Sequence, residues 1–346
     1  GEAEAYGKRG GYLGDLAAFE PLTFGIMPRA VDGGEPGQYL ALATAHDALA
    51  DAGYLDRPFD RQRTEVILGH GTFLNRGSVT ALQHSQLIAQ TLRILRELHP
   101  EHTADELRAL KAGLKANLPP FSTDTAPALV PNMVAGRIAN RLDLMGPNFT
   151  VDAACASSLI AVHQAVRDLQ SGRCDMAIAG GIHASTPPIV VLGFCMLGAI
   201  SRRQQIRPFD AAADGTLLGE GVGMLVLKRR ADAVLDGDRV YAVIRGIGTS
   251  SDGRAVGLLA PRLEGEELAL RRAYDDADVP PASIGLVETH GTGTPVGDAI
   301  EIQALARVFG EPPNGPWCAA GPVKPMISHP MGAAGPAGLI KPALPL

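Results

Sequence analysis

A cysteine and two histidines stand at predicted strand ends, and these residue types together can carry out nucleophilic chemistry. Cys155 lies three residues beyond a predicted strand at 148–152 (NFTVD) and opens a predicted helix. Unpaired N–H groups at a helix N-terminus favour a thiolate, so we expect a lowered pKa for Cys155. From this context alone, an inert core cysteine is an equally good interpretation.

The two histidines follow similar local patterns. His290 ends a predicted strand at 284–290 and enters the turn of VETHGTGTPVGD, while His329 lies in VKPMISHPMGAAGPAGLIK, five residues after Lys324. The carboxyl ends of strands in open α/β sheets are where ligands bind. A cysteine with two such histidines makes a candidate nucleophilic site, although each histidine alone could be a buried residue satisfied by main chain.

Other site chemistries fit less well. The GTGT turn after His290 matches neither GxGxxG nor GxxxxGK[ST], which disfavours nucleotide binding. No ligand pair has HExxH or CxxC spacing, so the sequence predicts no metal. A cysteine hydrolase would need an Asn or Asp that orients a Cys–His pair, and the HGTGT and GEGVG contexts do not suggest one.

Composition sets the broad class. The chain has 346 residues, 46% apolar and 20% charged, with a net charge of -6 and no basic cluster of the kind that binds nucleic acid. No apolar run approaches the roughly 18 residues that span a bilayer. Cys174, Cys195 and Cys318 show no disulfide spacing and are expected to be small core residues of a reduced, cytoplasmic chain.

The elements that must position the site alternate between strands and helices, which is typical of a layered α/β fold. The polar stretch RRADAVLDGD predicts a boundary between halves at 1–235 and 236–346. A capping box of Thr103 and Glu106 predicts a helix start. Strands are predicted at 63–69, 148–152, 176–180, 219–227, 240–248, 284–290 and near 317–323, and helices at 38–52, 80–98, after 103, after 155, at 264–277 and at 295–309.

Four motifs carry a family resemblance. VDAACASSLIAVHQAV resembles the active-site cysteine signature of β-ketoacyl synthases, and VETHGTGTPVGDAIE resembles their first histidine motif. VKPMISHPMGAAGPAGLIK is similar to their lysine and second-histidine motif, and RPFDAAADGTLLGEGVGMLVLKR is similar to a further stretch typical of polyketide ketosynthases. The four follow the family's order between residues 151 and 341.

The resemblance implies a thiolase-type fold: two similar halves in a five-layered αβαβα sandwich, usually a homodimer, with the C-terminal half truncated here. It implies that Cys155 takes an acyl group from an acyl carrier protein and that its backbone N–H is an oxyanion donor. His290 and His329 would stabilise the enolate left when malonyl-carrier protein loses CO2. Lys324, Glu220 and Asp298 would be supporting residues.

The same resemblance implies partners and a subtype. No cofactor is bound directly, because substrates arrive on the phosphopantetheine of the carrier protein, and an acyltransferase and other domains of one synthase are expected partners. KRGGYLGD and FGIMPRAVDGGEP look most like iterative type I synthases of the enediyne and polyunsaturated-fatty-acid types. The pair Ser328-His329, in place of the usual Gly-His, favours the enediyne type and therefore antibiotic biosynthesis. A decarboxylase or chain-length partner is another function of this fold. Such relatives replace the cysteine, so the presence of Cys155 disfavours it.

The sequence departs from the family pattern in three ways. It has no NxFGFGG-like loop after the second histidine, and it lacks the usual first strand and Gly-rich opening. Pro325 stands where Ser is usual and biases Lys324 away from helical geometry. Prolines fall where a helix should continue, at Pro336, Pro342 and Pro345. We therefore expect a fragment that is poorly active alone, and the alternative function is a non-catalytic fragment for carrier-protein binding or dimerisation.

Overall fold

The main feature of the fold is a four-stranded mixed sheet. The computed structural model describes residues 5–71, 75–310 and 315–344. Strand order in this sheet is β2-β1-β3-β4, with β1 parallel to both β2 and β3, and β4 antiparallel to β3. A second, two-stranded parallel sheet pairs β5 with β6. The strands are β1 Thr64–His70, β2 Asn148–Val151, β3 Met176–His183, β4 Gly221–Leu227, β5 Leu286–Val287 and β6 Ala319–Ala320.

Helices pack on both faces of the main sheet. None of the described helices is long and apolar enough to cross a membrane. The helices are α1 Pro28–Gly33, α2 Pro36–Asp51, α3 Arg76–Leu82, α4 Ile88–Leu98, α5 Ala104–Ala116, α6 Met133–Arg141, α7 Ser157–Gln170, α8 Pro188–Met196, α9 Arg230–Leu235, α10 Leu263–Ala277, α11 Pro295–Phe309, α12 Lys324–Ile327 and α13 Ala334–Ala343.

The core lies on both faces of the main sheet, because side chains alternate along each strand. On one face, Ile67 and Ala179 pack with Ala161 and Val162 of α7. On the other face, a second cluster joins β1 and β3 to α2 and α6, and it includes Val66, Leu68, Leu42, Val134 and Ile178. Burial on both faces explains why β1 and β3 read as continuous apolar runs rather than alternating ones.

Most predicted elements of the first 230 residues are found within a few residues of their predicted bounds. The capping box of Thr103 and Glu106 is present at the start of α5. The helix predicted at 80–98 is longer and is interrupted by a π-helical turn at Gln83–Leu87. In that turn the Ser85 hydroxyl donates to the carbonyl of Ala81, which competes with the helical ladder.

The predicted strand at 240–248 is wrong. These residues are assigned to no strand, and the exposed fractions of Val240, Tyr241 and Val243 are 44%, 44% and 46%. A strand needs a neighbour that completes its hydrogen bonds, whereas this segment lies against α10, where Gly246 and Gly248 approach its main chain closely. The prediction rested on the apolar residues of this segment. The sequence does not show that, among the described residues, no strand pairs with it.

The polar stretch that predicts the boundary between the halves contains α9 and is held by ion pairs of Lys228 with Asp238 and of Arg229 with Asp232, and the boundary itself stays a prediction. One further expectation is corrected. The prolines do not break α12 or α13. Pro325 and Pro336 lie in the first turns of these helices, where their missing N–H groups need no partner, and Pro342 lies one residue before the end of α13. Pro345 lies outside the described residues.

Candidate active site

Cys155 lies on a sharp turn between β2 and α7. A single 3-10 turn, Ala154–Ala156, precedes α7, so the thiol stands at the N-terminal end of that helix as predicted. Ala154 has a φ of 52°, in the left-handed region that costs a non-glycine residue roughly 1 kcal/mol. The Ser157 hydroxyl holds the turn, because it accepts from the N–H of Ala153 at 2.9 Å and donates to the carbonyl of Ala154 at 2.5 Å.

The three residues proposed for chemistry meet in space. Sγ of Cys155 lies 3.1 Å from Nε2 of His329. The rings of His290 and His329 are perpendicular, with centroids 5.4 Å apart. One ligand-type atom from each of the three side chains lies within 4.8 Å of the others. The site therefore combines a thiol, its hydrogen-bonded imidazole and a second imidazole at right angles to the first.

His329 is placed by main-chain pairing rather than by its neighbours in sequence. Its N–H donates to the carbonyl of Leu217 at 2.8 Å, and its carbonyl accepts from the N–H of Gly219 at 2.8 Å. This bridge ties the turn after α12 to the segment before β4. His329 is 2% exposed, so its ring is fixed by the packing around it.

His290 is held by a carboxylate that the sequence motifs did not single out. Glu301, in α11, accepts from the N–H of His290 at 2.5 Å and from that of Gly291 at 2.8 Å. Glu301 lies three residues after Asp298, on the same face of α11, and that helical spacing is the signal that could have identified it. The turn after His290 uses positive φ angles at Gly291 and Gly293, which explains its glycines.

Lys324 is a buried cation beside the site. It is 4% exposed and opens α12, and its carbonyl accepts the N–H of Ser328 at 2.8 Å, so it also shapes the turn that carries His329. Burial lowers the pKa of Lys324, while the nearby charges of Glu301, Cys155 and Glu288 oppose that change. Glu288 fixes Val323, the residue before Lys324, because it accepts the N–H of Val323 at 2.6 Å.

The expected lowering of the Cys155 pKa is wrong. Burial raises the pKa of this thiol above its ordinary value, and the charge of Lys324 and the residue's own N–H only partly offset that effect. The field of a helix end is worth at most about 2 kcal/mol, and removal of an ionised group from water outweighs it here.

Both imidazoles are kept neutral. Burial, with Lys324 as a smaller cause, lowers the pKa of His290 to about 4. Part of the His290 side chain is still reached by solvent, but the surrounding protein disfavours its charged form all the same. His329 is more enclosed, and burial together with His290 and Lys324 holds its pKa well below the ordinary range. Each neutral ring offers one N–H donor and one lone pair.

The other two supporting residues act on the main chain around the site. Asp298 is 5% exposed and accepts the N–H of Phe209 at 2.7 Å and of Gly293 at 3.1 Å, so it joins α11 to two loops. Glu220 accepts the N–H of Thr186 at 3.2 Å and of Leu13 at 3.4 Å. These hydrogen bonds are all to main-chain N–H groups, which makes Asp298 a positioning residue for the turn after His290, whereas Glu220 joins the segments of Leu13 and Thr186.

Comparison with known proteins gives the family. Residues 1–233 match the model of the β-ketoacyl synthase N-terminal domain, and residues 241–346 match that of the C-terminal domain. The chain therefore belongs to the β-ketoacyl synthases, condensing enzymes of the acyltransferase class, and it has their thiolase-type fold.

Relatives and solved structures are polyketide and polyunsaturated fatty acid synthases. The chain is 39% identical over 341 residues to one subunit of the polyunsaturated fatty acid synthase of Thraustochytrium sp., covering 97% of this chain and 12% of that protein. It is 36% identical to polyketide synthase PksN of Bacillus subtilis, and the match covers 96% of this chain and 6% of that protein.

Among solved structures, the ketosynthase from module 6 of the bacillaene synthase of Bacillus subtilis 168 superposes with a TM-score of 0.76 at 32% identity, covering 95% of this chain and 50% of that one. The oxazolomycin ketosynthase domain OzmH KS7 of Streptomyces albus JA3453 superposes with a TM-score of 0.76 at 31% sequence identity, and the match covers 98% of this chain and 53% of that one. This chain thus spans about half of the solved ketosynthase chains and a small part of the multidomain relatives.

Proposed function

We propose that this ketosynthase chain catalyses decarboxylative Claisen condensation of malonyl-acyl carrier protein with an acyl group held on Cys155. The observation that carries the proposal is the 3.1 Å contact between Sγ of Cys155 and Nε2 of His329, with the His290 ring beside it. A nucleophile paired with a base and a second donor is what two-stage acyl transfer requires.

In the first stage, Sγ of Cys155 attacks the thioester carbonyl of a carrier-bound acyl group. Because the pKa of this thiol is raised, the thiol form dominates at neutral pH, and His329 is placed to accept the proton during the attack. The carrier's thiol leaves with that proton, so the step exchanges one thioester for another. The backbone N–H of Cys155 is the proposed donor to the oxyanion.

In the second stage, the carrier-bound malonyl group loses CO2 and leaves an enolate. For this stage neutral His329 carries its proton on Nε2, the tautomer opposite to that of the first stage, and His290 and His329 each donate an N–H to the developing enolate oxygen, which is electrostatic stabilisation by preorganised donors. The enolate carbon then attacks the acyl thioester on Cys155. The carbon–sulfur bond breaks, and the Cys155 thiolate takes up a proton to restore the resting thiol.

The finer assignment follows from resemblance. We propose that the chain works in an iterative type I synthase, which the similarity to the polyunsaturated fatty acid synthase subunit of Thraustochytrium supports. We propose further that this synthase builds a polyene of the enediyne type, for which Ser328 before His329 is the support. Substrates are proposed to arrive on phosphopantetheine of an acyl carrier protein with no cofactor bound directly. An acyltransferase and other domains of the same synthase, and a second copy of this chain, are the proposed partners.

Covalent labelling tests the proposal in the intact polypeptide that carries this chain. A cerulenin-type epoxide should label Cys155, and the label should disappear in Cys155→Ala but persist in Cys318→Ala, a matched control at a partly buried cysteine. Release of CO2 from malonyl-carrier protein should fall by two orders of magnitude or more in His290→Ala. Absence of both labelling and decarboxylation would contradict condensation and would instead support a non-catalytic role in carrier-protein binding or dimerisation.

A further inference from the structure

The ligand-type atoms of Cys155, His290 and His329 converge on one point, at separations that extend slightly beyond those of metal ligands. They lie within 4.8 Å of one another, and Sγ is 3.1 Å from Nε2 of His329. In a tetrahedral zinc site with bond lengths of 2.0–2.3 Å, neighbouring ligand atoms are about 3.3–3.6 Å apart. Shifts on the order of an ångström at the side-chain ends would bring the three atoms to that spacing. The spacing along the chain did not predict this, because the ligands come from distant segments.

The donor set points to one class of ion. One thiolate sulfur and two imidazole nitrogens are soft and borderline ligands that suit Zn²⁺, whereas Mg²⁺ and Ca²⁺ require oxygen ligands. Three protein ligands leave the fourth tetrahedral position for water, as in zinc sites that are open on one side.

Two features weaken the site and make occupancy reversible. Lys324 is buried, its positive charge acts on all three side chains, and it repels a cation bound there. Nδ1 of His329 is buried and has no hydrogen-bond partner among the described residues, so the ring lacks the outer partner that usually orients a ligating histidine. Loss of such a partner typically weakens metal binding by about 10–100-fold.

We propose that Cys155, His290 and His329 form a binding site for Zn²⁺ that reversibly blocks the nucleophile. Binding forms one sulfur–zinc and two nitrogen–zinc bonds, displaces water from the ion, and releases the thiol proton to solvent. No electron is transferred, so a chelator restores the free thiol. While the ion is bound, the lone pairs of Sγ and of Nε2 of His329 are both engaged, and the thiol can be neither acylated nor alkylated.

Protection of the thiol tests the site without any measurement of condensation, so the result is independent of the proposed activity. In the intact polypeptide, alkylation of Cys155 by iodoacetamide is followed by mass spectrometry of its peptide. Saturating Zn²⁺ should slow alkylation at least tenfold, EDTA should restore it, and Mg²⁺ should have no effect. Alkylation of Cys318 in the same sample is the internal control and should change less than twofold.

Variants identify the ligands. In His290→Ala, each rate is compared with that variant's own metal-free rate, and the protection by Zn²⁺ should weaken by roughly tenfold or more. Lys324→Met should have the opposite effect and tighten zinc binding several-fold, because a buried positive charge is removed. Equal protection in wild type and His290→Ala, or weaker binding in Lys324→Met, would overturn the proposed ligand set.

Cobalt gives a direct signature of the thiolate bond. Co²⁺ added to the intact polypeptide should produce a thiolate-to-cobalt charge-transfer band together with the intense visible bands of tetrahedral cobalt. The charge-transfer band should vanish in Cys155→Ser and persist in Cys174→Ala, which alters a buried cysteine away from the site. If the spectra of wild type and Cys155→Ser are the same, the metal does not bind Cys155 and the proposal fails.

Discussion

At the scale of single residues, Cys155 shows how burial can outweigh a helix end. The thiol has the position that usually lowers a cysteine pKa, yet the cost of an ionised sulfur away from water is larger. Lys324 recovers part of that cost. The thiol form therefore dominates at neutral pH, and the proposed reaction begins with transfer of its proton to His329, whose Nε2 lies 3.1 Å from Sγ.

The pH dependence of alkylation checks this balance. Because the pKa of Cys155 lies above the ordinary 9.0, the iodoacetamide rate should keep rising with pH and reach its midpoint above that value. Lys324→Met should move the midpoint higher still, since a charge that favours the thiolate is lost. The rate is read from the Cys155 peptide by mass spectrometry. A midpoint below 9.0 would mean that the helix end dominates after all.

At the scale of elements, the sequence predicted what local pattern determines. The strand at 63–69 was found at Thr64–His70 because an apolar run bounded by polar residues is visible in the sequence. The strand at 240–248 failed because pairing depends on a neighbour that no local pattern shows. Glu301 was missed for a related reason, since its bond to the N–H of His290 depends on how α11 lies against the preceding turn.

Ser328 has a strained backbone conformation in the turn between α12 and α13. Its φ of 65° and ψ of -175° fall in a region that is essentially restricted to glycine, where another residue costs on the order of 1–3 kcal/mol. Its Cβ faces Gly11 and Gly219, and glycines at those positions leave it room. Ser328 keeps this conformation because the main-chain pairing of His329 fixes the turn.

Replacement of Ser328 by glycine should therefore stabilise the protein. In Ser328→Gly the strain is relieved, and after the extra entropy of glycine in the unfolded chain the net gain should be about 0.5–2 kcal/mol. Urea unfolding measures it. Ser328→Ala is the matched control, because it removes the hydroxyl but keeps the Cβ, and its stability should stay within about 0.5 kcal/mol of wild type. Equal stabilisation by both substitutions would show that backbone strain is not the cause.

At the scale of the whole molecule, the site joins the two matched family domains. Cys155 comes from the first, and His290 and His329 come from the second. The sequence identified these residues by motif. The 3.1 Å contact between Cys155 and His329, however, joins residues 174 positions apart and depends on the main-chain bridge from His329 to the segment before β4. Residue types could be predicted because they are local, whereas distances, neutral rings and the supporting Glu301 depend on packing.

The same packing buries a carboxyl group that should make stability depend on pH. Glu65, on β1, is 1% exposed and lies beside Cys174, with the charge of Asp168 nearby. Burial, assisted by Asp168, raises the pKa of Glu65 from 4.5 to about 7, against an opposing hydrogen bond with Cys174. Between these two values the folded protein holds a proton that the unfolded chain has lost. Stability should therefore fall as pH rises through this range.

Glu65→Gln should remove this fall of stability with rising pH, because an amide of the same shape cannot ionise. The variant should be more stable than wild type by about 1–3 kcal/mol near pH 8, and the difference should shrink or reverse near pH 5, where wild-type Glu65 is protonated when folded. Urea unfolding of both proteins at both pH values measures the change, and the titration of buried histidines cancels in the comparison. Glu97→Gln, at an exposed position on α4, is the control for the loss of one carboxylate from the protein. A Glu65→Gln variant less stable than wild type by the same amount at both pH values would mean that Glu65 is ionised in the folded protein.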